Sequence, residues 1–165
     1  MSSKLILPSN YSDGVQPAGG VVIYRRGDPI NHTGVTTADV TLETLEVPPL
    51  GVDGVIRVHF KASWTDGVTT SKNIKVRLAG QNCYSITSTV ATVESFTGMI
   101  LIQNRNSKTS QIAGPPFIGG FGTNNDPYTL VSADTSVETP LTFHATLGDA
   151  ANFLRLESYF VEIFP

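Results

Sequence analysis

The chain has 165 residues, of which 40 % are hydrophobic and 15 % charged, with a formal net charge of −3. Charged residues usually make up about 25 % of a chain; here Thr, Ser, Asn and Gly fill the deficit. That composition suits one β-rich domain with a polar, uncharged surface, as on extracellular and particle-surface domains, and argues against a helical cytosolic enzyme. Cys83 is the single cysteine, which excludes an intrachain disulfide and CxxC zinc chemistry. No basic or acidic helper flanks it, so a small buried hydrophobe is expected rather than a reactive thiol. The start carries no charged-then-apolar signal pattern, and no apolar run reaches the roughly 18 residues of a membrane helix. The expectation is a soluble protein made in the cytoplasm, with no membrane partner.

Residues 1–33 contain Pro8, Pro17 and Pro29 among Gly, Ser and Asn, which rules out a helix. The apolar patch Val21-Val22-Ile23-Tyr24, followed by Arg25-Arg26, interrupts them. This stretch reads as an extended N-terminal arm that can add a strand to something, leaving 34–165 as the domain. Within the domain, Val40 and Leu42 open a strand that ends at Pro48-Pro49. From Gly54 to Gly80 the alternation is clearest. Ile56, Val58, Phe60, Ala62 and Trp64 fall on one face, with Arg57, His59, Lys61 and Ser63 on the other. After Thr65-Asp66-Gly67 the pattern resumes, with Ile74, Val76 and Leu78 inward and Lys75 and Arg77 outward. Period two over such lengths predicts half-buried antiparallel strands, and the two are expected as a hairpin or neighbouring pair.

Further strands are expected over Ser85–Val93, Gly98–Gln103, Tyr128–Ala133 and Leu141–Leu147. Asp149-Ala150-Ala151 can cap a helix, but the aromatic and β-branched content of Phe153–Phe164 favours a strand. The inward face of that strand changes between Leu156 and Tyr159, which requires a bulge. About eight strands without a helical period predict an all-β, antiparallel two-sheet jelly-roll sandwich. Periodicity does not separate this from a closed barrel.

Chemistry-bearing motifs are missing. His32, His59 and His144 are dispersed, without the HxH spacing of a jelly-roll metal site. No serine sits in a GxSxG elbow. Gly119-Gly120-Phe121-Gly122 lacks the Lys-Ser/Thr and the helix of a phosphate loop. The carboxylates, such as Glu43 and Glu46 or Asp149 and Glu157, read as surface charge. The expectation is no enzyme, no metal and no cofactor. Nucleic acid is not expected either, since Arg25-Arg26 falls far short of a basic arm.

Two features stand out instead. Residues 54–80 hold Arg57, Lys61, Lys72, Lys75 and Arg77 against Asp66, whereas 126–165 hold six acids against Arg155. If the two strands are neighbours, Arg57, Lys61, Lys75 and Arg77 share an outward face. That face is either simply solvated or meets an acidic partner, including the acidic C-terminal segment of a second copy. The loop from Gly114 to Gly122 carries Phe117, Ile118 and Phe121 without a strand pattern. Those side chains either cap the sandwich or pack against another subunit.

Several stretches together resemble jelly-roll virion structural proteins of tailed bacteriophages. They are Leu50-Gly51 through Val58, the strand ending at Trp64, Thr70 through Gly80, Ile102 through Ser107 with Ser110-Gln111, and Leu154 through Glu162. The turn before Lys72 departs from the asparagine-rich form usual in that group. The resemblance covers roughly residues 35–165 and implies a homotrimeric, non-enzymatic particle component located in the virion. Of the two roles it implies, head decoration (cement) is favoured by the short single domain and the arm. The arm would then order on the major capsid protein. The other role is a tail-fibre tip or adaptor, with Tyr84, Phe117, Phe121 or Tyr128 stacking on a host-surface glycan. Under the first, Val21, Val22, Ile23, Tyr24, Arg25, Arg26, Arg57, Lys61, Lys75 and Arg77 are the candidate capsid- or partner-binding residues. Phe117, Ile118 and Phe121 are candidates for the subunit interface.

Overall fold

A computed structural model describes residues 22–33, 38–64, 70–89, 94–115, 128–149 and 152–165. The described chain is all-β. In order, the strands are β1 (Val22–Arg26), β2 (Ile30–Thr33), β3 (Val40–Val47), β4 (Val55–Trp64), β5 (Lys72–Leu78), β6 (Gln81–Ser88), β7 (Glu94–Asn104), β8 (Gln111–Gly114), β9 (Thr129–Val131), β10 (Thr139–Leu147) and β11 (Phe153–Phe164). A seven-stranded sheet runs β1-β11-β4-β7-β8-β9, with β2 beside β1 on the same edge of β11. A four-stranded sheet runs β3-β10-β5-β6, and every pairing in both sheets is antiparallel. The result is the expected two-sheet, jelly-roll-like sandwich.

Each strand contributes alternate residues to the space between the sheets. Ile56, Val58, Phe60, Ala62 and Trp64 of β4 face Ile74, Val76 and Leu78 of β5 and Leu141, Phe143, Ala145 and Leu147 of β10, all buried. The aromatic centre is Phe60, whose ring lies 5.9 Å from Phe143, 6.4 Å from Tyr84 and 5.8 Å from Phe96. Phe143 in turn stacks on Tyr159 at 5.3 Å. The expected bulge in β11 is present, since the register against β4 shifts between Leu156 and Ser158. Glu157 is the extra residue, and it keeps Leu154 and Leu156 as well as Tyr159, Val161 and Ile163 in the core.

The expected hairpin across 54–80 is corrected. Strand β4 lies between β11 and β7 in one sheet, and β5 between β10 and β6 in the other. An alternating pattern states that a strand buries one face; it does not state which sheet the strand joins. The true hairpin is β5–β6, joined by Ala79 (φ 49°) and Gly80 (φ 77°). Two consecutive positive φ values make the primed two-residue turn that matches strand twist. Strand β8 was not foreseen, because its four residues place a polar Gln111 inward. That side chain is buried in a network at one end of the sandwich. Asn104 Nδ2 donates to Gly51 O (2.6 Å) and Thr135 Oγ1 (2.9 Å), Gln111 Nε2 donates to Asn104 Oδ1 (2.9 Å), and Ala133 N donates to Gln111 Oε1 (3.0 Å).

Residues 22–33, read from sequence as part of an arm able to add a strand to something, add β1 and β2 to β11 of the same chain.

Two substitutions test this packing. A Cβ at Gly98 would lie 2.5 Å from Phe60 Cζ, so Gly98→Ala is expected to destabilise by about 1–3 kcal/mol in denaturant titration. Ala79 is an L-residue at positive φ, a conformation that Asn tolerates better. Ala79→Asn is expected to raise stability by roughly 0.5–1 kcal/mol in the same measurement.

Candidate functional site

Because β4 and β5 belong to different sheets, the four cations expected on one face are divided. Arg57 and Lys61 point outward from the seven-stranded sheet, Lys75 and Arg77 from the four-stranded one. The outer face of the four-stranded sheet is polar and internally bonded. Lys75 Nζ reaches Asp39 Oδ1 at 2.6 Å, and Arg77 and Thr146 also donate to that carboxylate. Arg77 Nε donates to Asn82 Oδ1 at 2.7 Å, and Asn73 Nδ2 donates to Ser85 Oγ at 2.9 Å and Thr87 Oγ1 at 2.5 Å. Burial opposes ionisation of Asp39, but the hydrogen bonds from Lys75, Thr146 and Arg77 outweigh it and hold the carboxyl well below the usual range. His144, one strand over from Lys75, is pushed down by burial and then by the Arg77 charge. Lys75 and Arg77 therefore clamp β5 to the residue that leads into β3.

The outer face of the seven-stranded sheet is different. In β1, Ile23 and Arg25 point outward, because their cross-strand partners Glu162 and Phe160 do. Tyr24 and Arg26 point the other way and tie the two sheets together at their edge. Tyr24 OH donates to Glu46 O at 2.5 Å, and Arg26 Nη1 donates to Glu43 Oε2 at 2.9 Å. Tyr159 OH donates to the same carboxylate oxygen at 3.1 Å. Glu43, read from sequence as surface charge, is thus a half-buried tie between sheets.

Across the outward face, Arg25, Phe160, His59 and Met99 form one row on β1, β11, β4 and β7. The His59 and Phe160 rings meet edge-on at 6.2 Å. Beside them Arg57 pairs with Glu162 at 2.8 Å and lies 5.4 Å over the Phe164 ring. On the other side, Lys61 stands opposite Ser158 and Thr97. Where the Glu157 bulge breaks the register, a shallow groove of about 230 Å³ opens between His59, Lys61, Thr97, Ser158 and Phe160. The structure thus brings Ile23, Arg25, Arg57 and Lys61 onto one surface. It adds His59, which alternation marked only as outward, and Phe160 and Met99, to which the sequence assigned no face.

Of the remaining candidates, Val22 pairs with Ile163, and Val21, Phe117, Ile118 and Phe121 lie outside the described residues. Tyr84 is half-buried against Phe60, whereas Tyr128 is 56 % exposed. Burial pushes the Cys83 thiol up to about 12, as suits a packed hydrophobe. Lys72 turns inward with Ile74 and is buried. His32 is buried in β2, and His59 and His144 lie on opposite outer faces. Among the described residues no cluster of His, Cys, Asp and Glu is placed to hold a metal ion.

No protein-family model matches the chain, and no curated protein matches it. Solved structures with similar architecture include that of infectious bursal disease virus Gx strain, with a TM-score of 0.47, 7 % identity, and 98 % of this chain covering 38 % of that one. The C-terminal domain of EclA, a sugar-binding protein, gives 0.38 at 12 % identity over 92 % of this chain and 84 % of that one. The carbohydrate-binding module CBM36, solved with calcium and xylotriose, gives 0.32 at 9 % identity over 99 % and 90 %. The chain spans well under half of the viral chain's length. At these scores and identities the likeness is one of general β architecture.

The Asp39 cluster has a pH consequence. A carboxyl held below its unfolded value stabilises the fold above that value, near pH 4, and loses the contribution as pH falls through the folded one. Asp39→Asn is expected to cost about 1 kcal/mol at pH 7, a figure reduced for solvent screening. The gap from the unmodified protein should narrow when denaturation is repeated at pH 3.

Proposed function

We propose that this chain is a virion structural protein that acts by binding, most specifically a head-decoration (cement) protein of a tailed bacteriophage. In this reading it attaches as a homotrimer to the outside of the assembled head, against the major capsid protein, and stabilises the shell. The observation that carries the reading is the unequal use of the two outer faces. On one, Lys75 and Arg77 are occupied with Asp39. The other presents Phe160, His59 and Met99 beside Arg25 and Lys61, an open amphipathic surface suited to contact with another protein. The resemblance of residues 35–165 to phage jelly-roll virion proteins supports the particle.

The mechanism needs no chemical step. A ligand that binds only the assembled shell stabilises it by mass action, and three linked contacts add avidity. A second reading, a glycan-binding tail tip, is favoured by one observation, the exposed Tyr128 beside the exposed Leu130. Electron microscopy of particles labelled with antibody to this protein separates the two. Label over the head surface is expected; label confined to the tail overturns the cement reading. Removal of residues 1–21 leaves every described strand in place. It is expected to lower occupancy on purified heads at least tenfold without changing the denaturation midpoint, and unchanged occupancy would remove the arm from the contact.

A further inference from the structure

Within the fold, Arg26, Arg57, Lys75, Arg77 and Arg155 pair with Glu43, Glu162, Asp39 and Glu157. Among the described residues, exposed charges outside these pairs include a mixed group, a basic group and an acidic group, with Asp28 apart in the turn between β1 and β2. The loops at one end of the sandwich mix signs, with Arg105 and Lys108 near Asp53 and Asp134. Away from that end, the unpaired cations Arg25 and Lys61 flank Phe160 on the outer face of the seven-stranded sheet, Arg25 as its cross-strand partner and Lys61 across the groove.

The unpaired acids Glu46 and Glu138 lie on a different surface. Glu46 points outward near the end of β3, with Pro140 as its cross-strand partner, and Glu138 immediately precedes β10. Both stand close enough to the Tyr24 hydroxyl to disfavour its ionisation, after burial. Val137, 56 % exposed, projects beside them. One surface is therefore basic with an aromatic wall, and the other is acidic with an apolar tip. Complementary patches at different places on one molecule make a head-to-tail contact between copies, which closes into a ring when the rotation allows.

We infer that the Glu46–Val137–Glu138 ledge of one copy docks on the Arg25–Lys61–Phe160 face of a second copy. Val137 enters the groove against Phe160, and the two carboxylates face Arg25 and Lys61. The inference rests on the self-association contained in the proposed function and names its surfaces. A second copy is the occupant because this chain itself carries the partner of matching charge and apolar content.

Light scattering coupled to size exclusion, on the full chain at low salt, provides the test. The unmodified protein is expected to be a trimer that weakens as salt rises. Arg25→Glu with Lys61→Glu, or Glu46→Lys with Glu138→Lys, should each raise the dissociation constant at least tenfold. All four substitutions together should restore assembly. Circular dichroism of each variant checks that it is folded, since all four side chains are exposed. A monomeric unmodified protein, or a double variant that assembles unchanged, overturns the inference. In the latter case self-association itself survives, and occupancy on heads tests the cement reading separately.

Discussion

The sandwich depends on β11, which lies between the β1–β2 edge and β4 in the larger sheet and carries one extra residue. A strand of this length cannot keep a single face inward when its apolar residues change parity between Leu156 and Tyr159. The Glu157 bulge absorbs the change, so both halves bury their large side chains against the opposite sheet. Tyr159 then stacks on Phe143 and reaches Glu43, while Arg26 of β1 reaches the same carboxylate. The edge between the sheets is closed by residues whose positions follow from that register.

The same bulge shapes the outer surface. By turning Tyr159 inward it turns Ser158 and Phe160 outward beside β4, where His59 and Lys61 already project. A strand without the extra residue would present a different set, because a one-residue slip exchanges the faces of every later side chain. Core packing and the candidate binding face are therefore two consequences of one irregularity. The opposite outer face carries its charges in a closed cluster around Asp39. There the polar groups hold strands together and present no comparable apolar surface.

Much of this was legible in the sequence. Alternation from Ile56 to Trp64 and from Ile74 to Leu78 determined which side chains are buried, because period two leaves a strand only two faces. The parity change in the last strand determined the bulge. The isolated Cys83 was readable as a packed hydrophobe, since nothing beside it lowers its pKa. The outward direction of Arg57, Lys61, Lys75 and Arg77 followed from the same alternation.

What tertiary structure alone decided is which strands lie side by side. Strands β4 and β5 are consecutive yet join different sheets, so four cations that alternate in the same phase end on opposite sides of the molecule. The physical reason is that alternation is local, whereas sheet membership is set by hydrogen bonding to strands far along the chain. Arg25 meets Phe160, and Glu46 comes beside Glu138, only through such distant pairings. The sequence by itself therefore determined an all-β domain with defined inner and outer residues. Only the fold determined which outer residues share a surface.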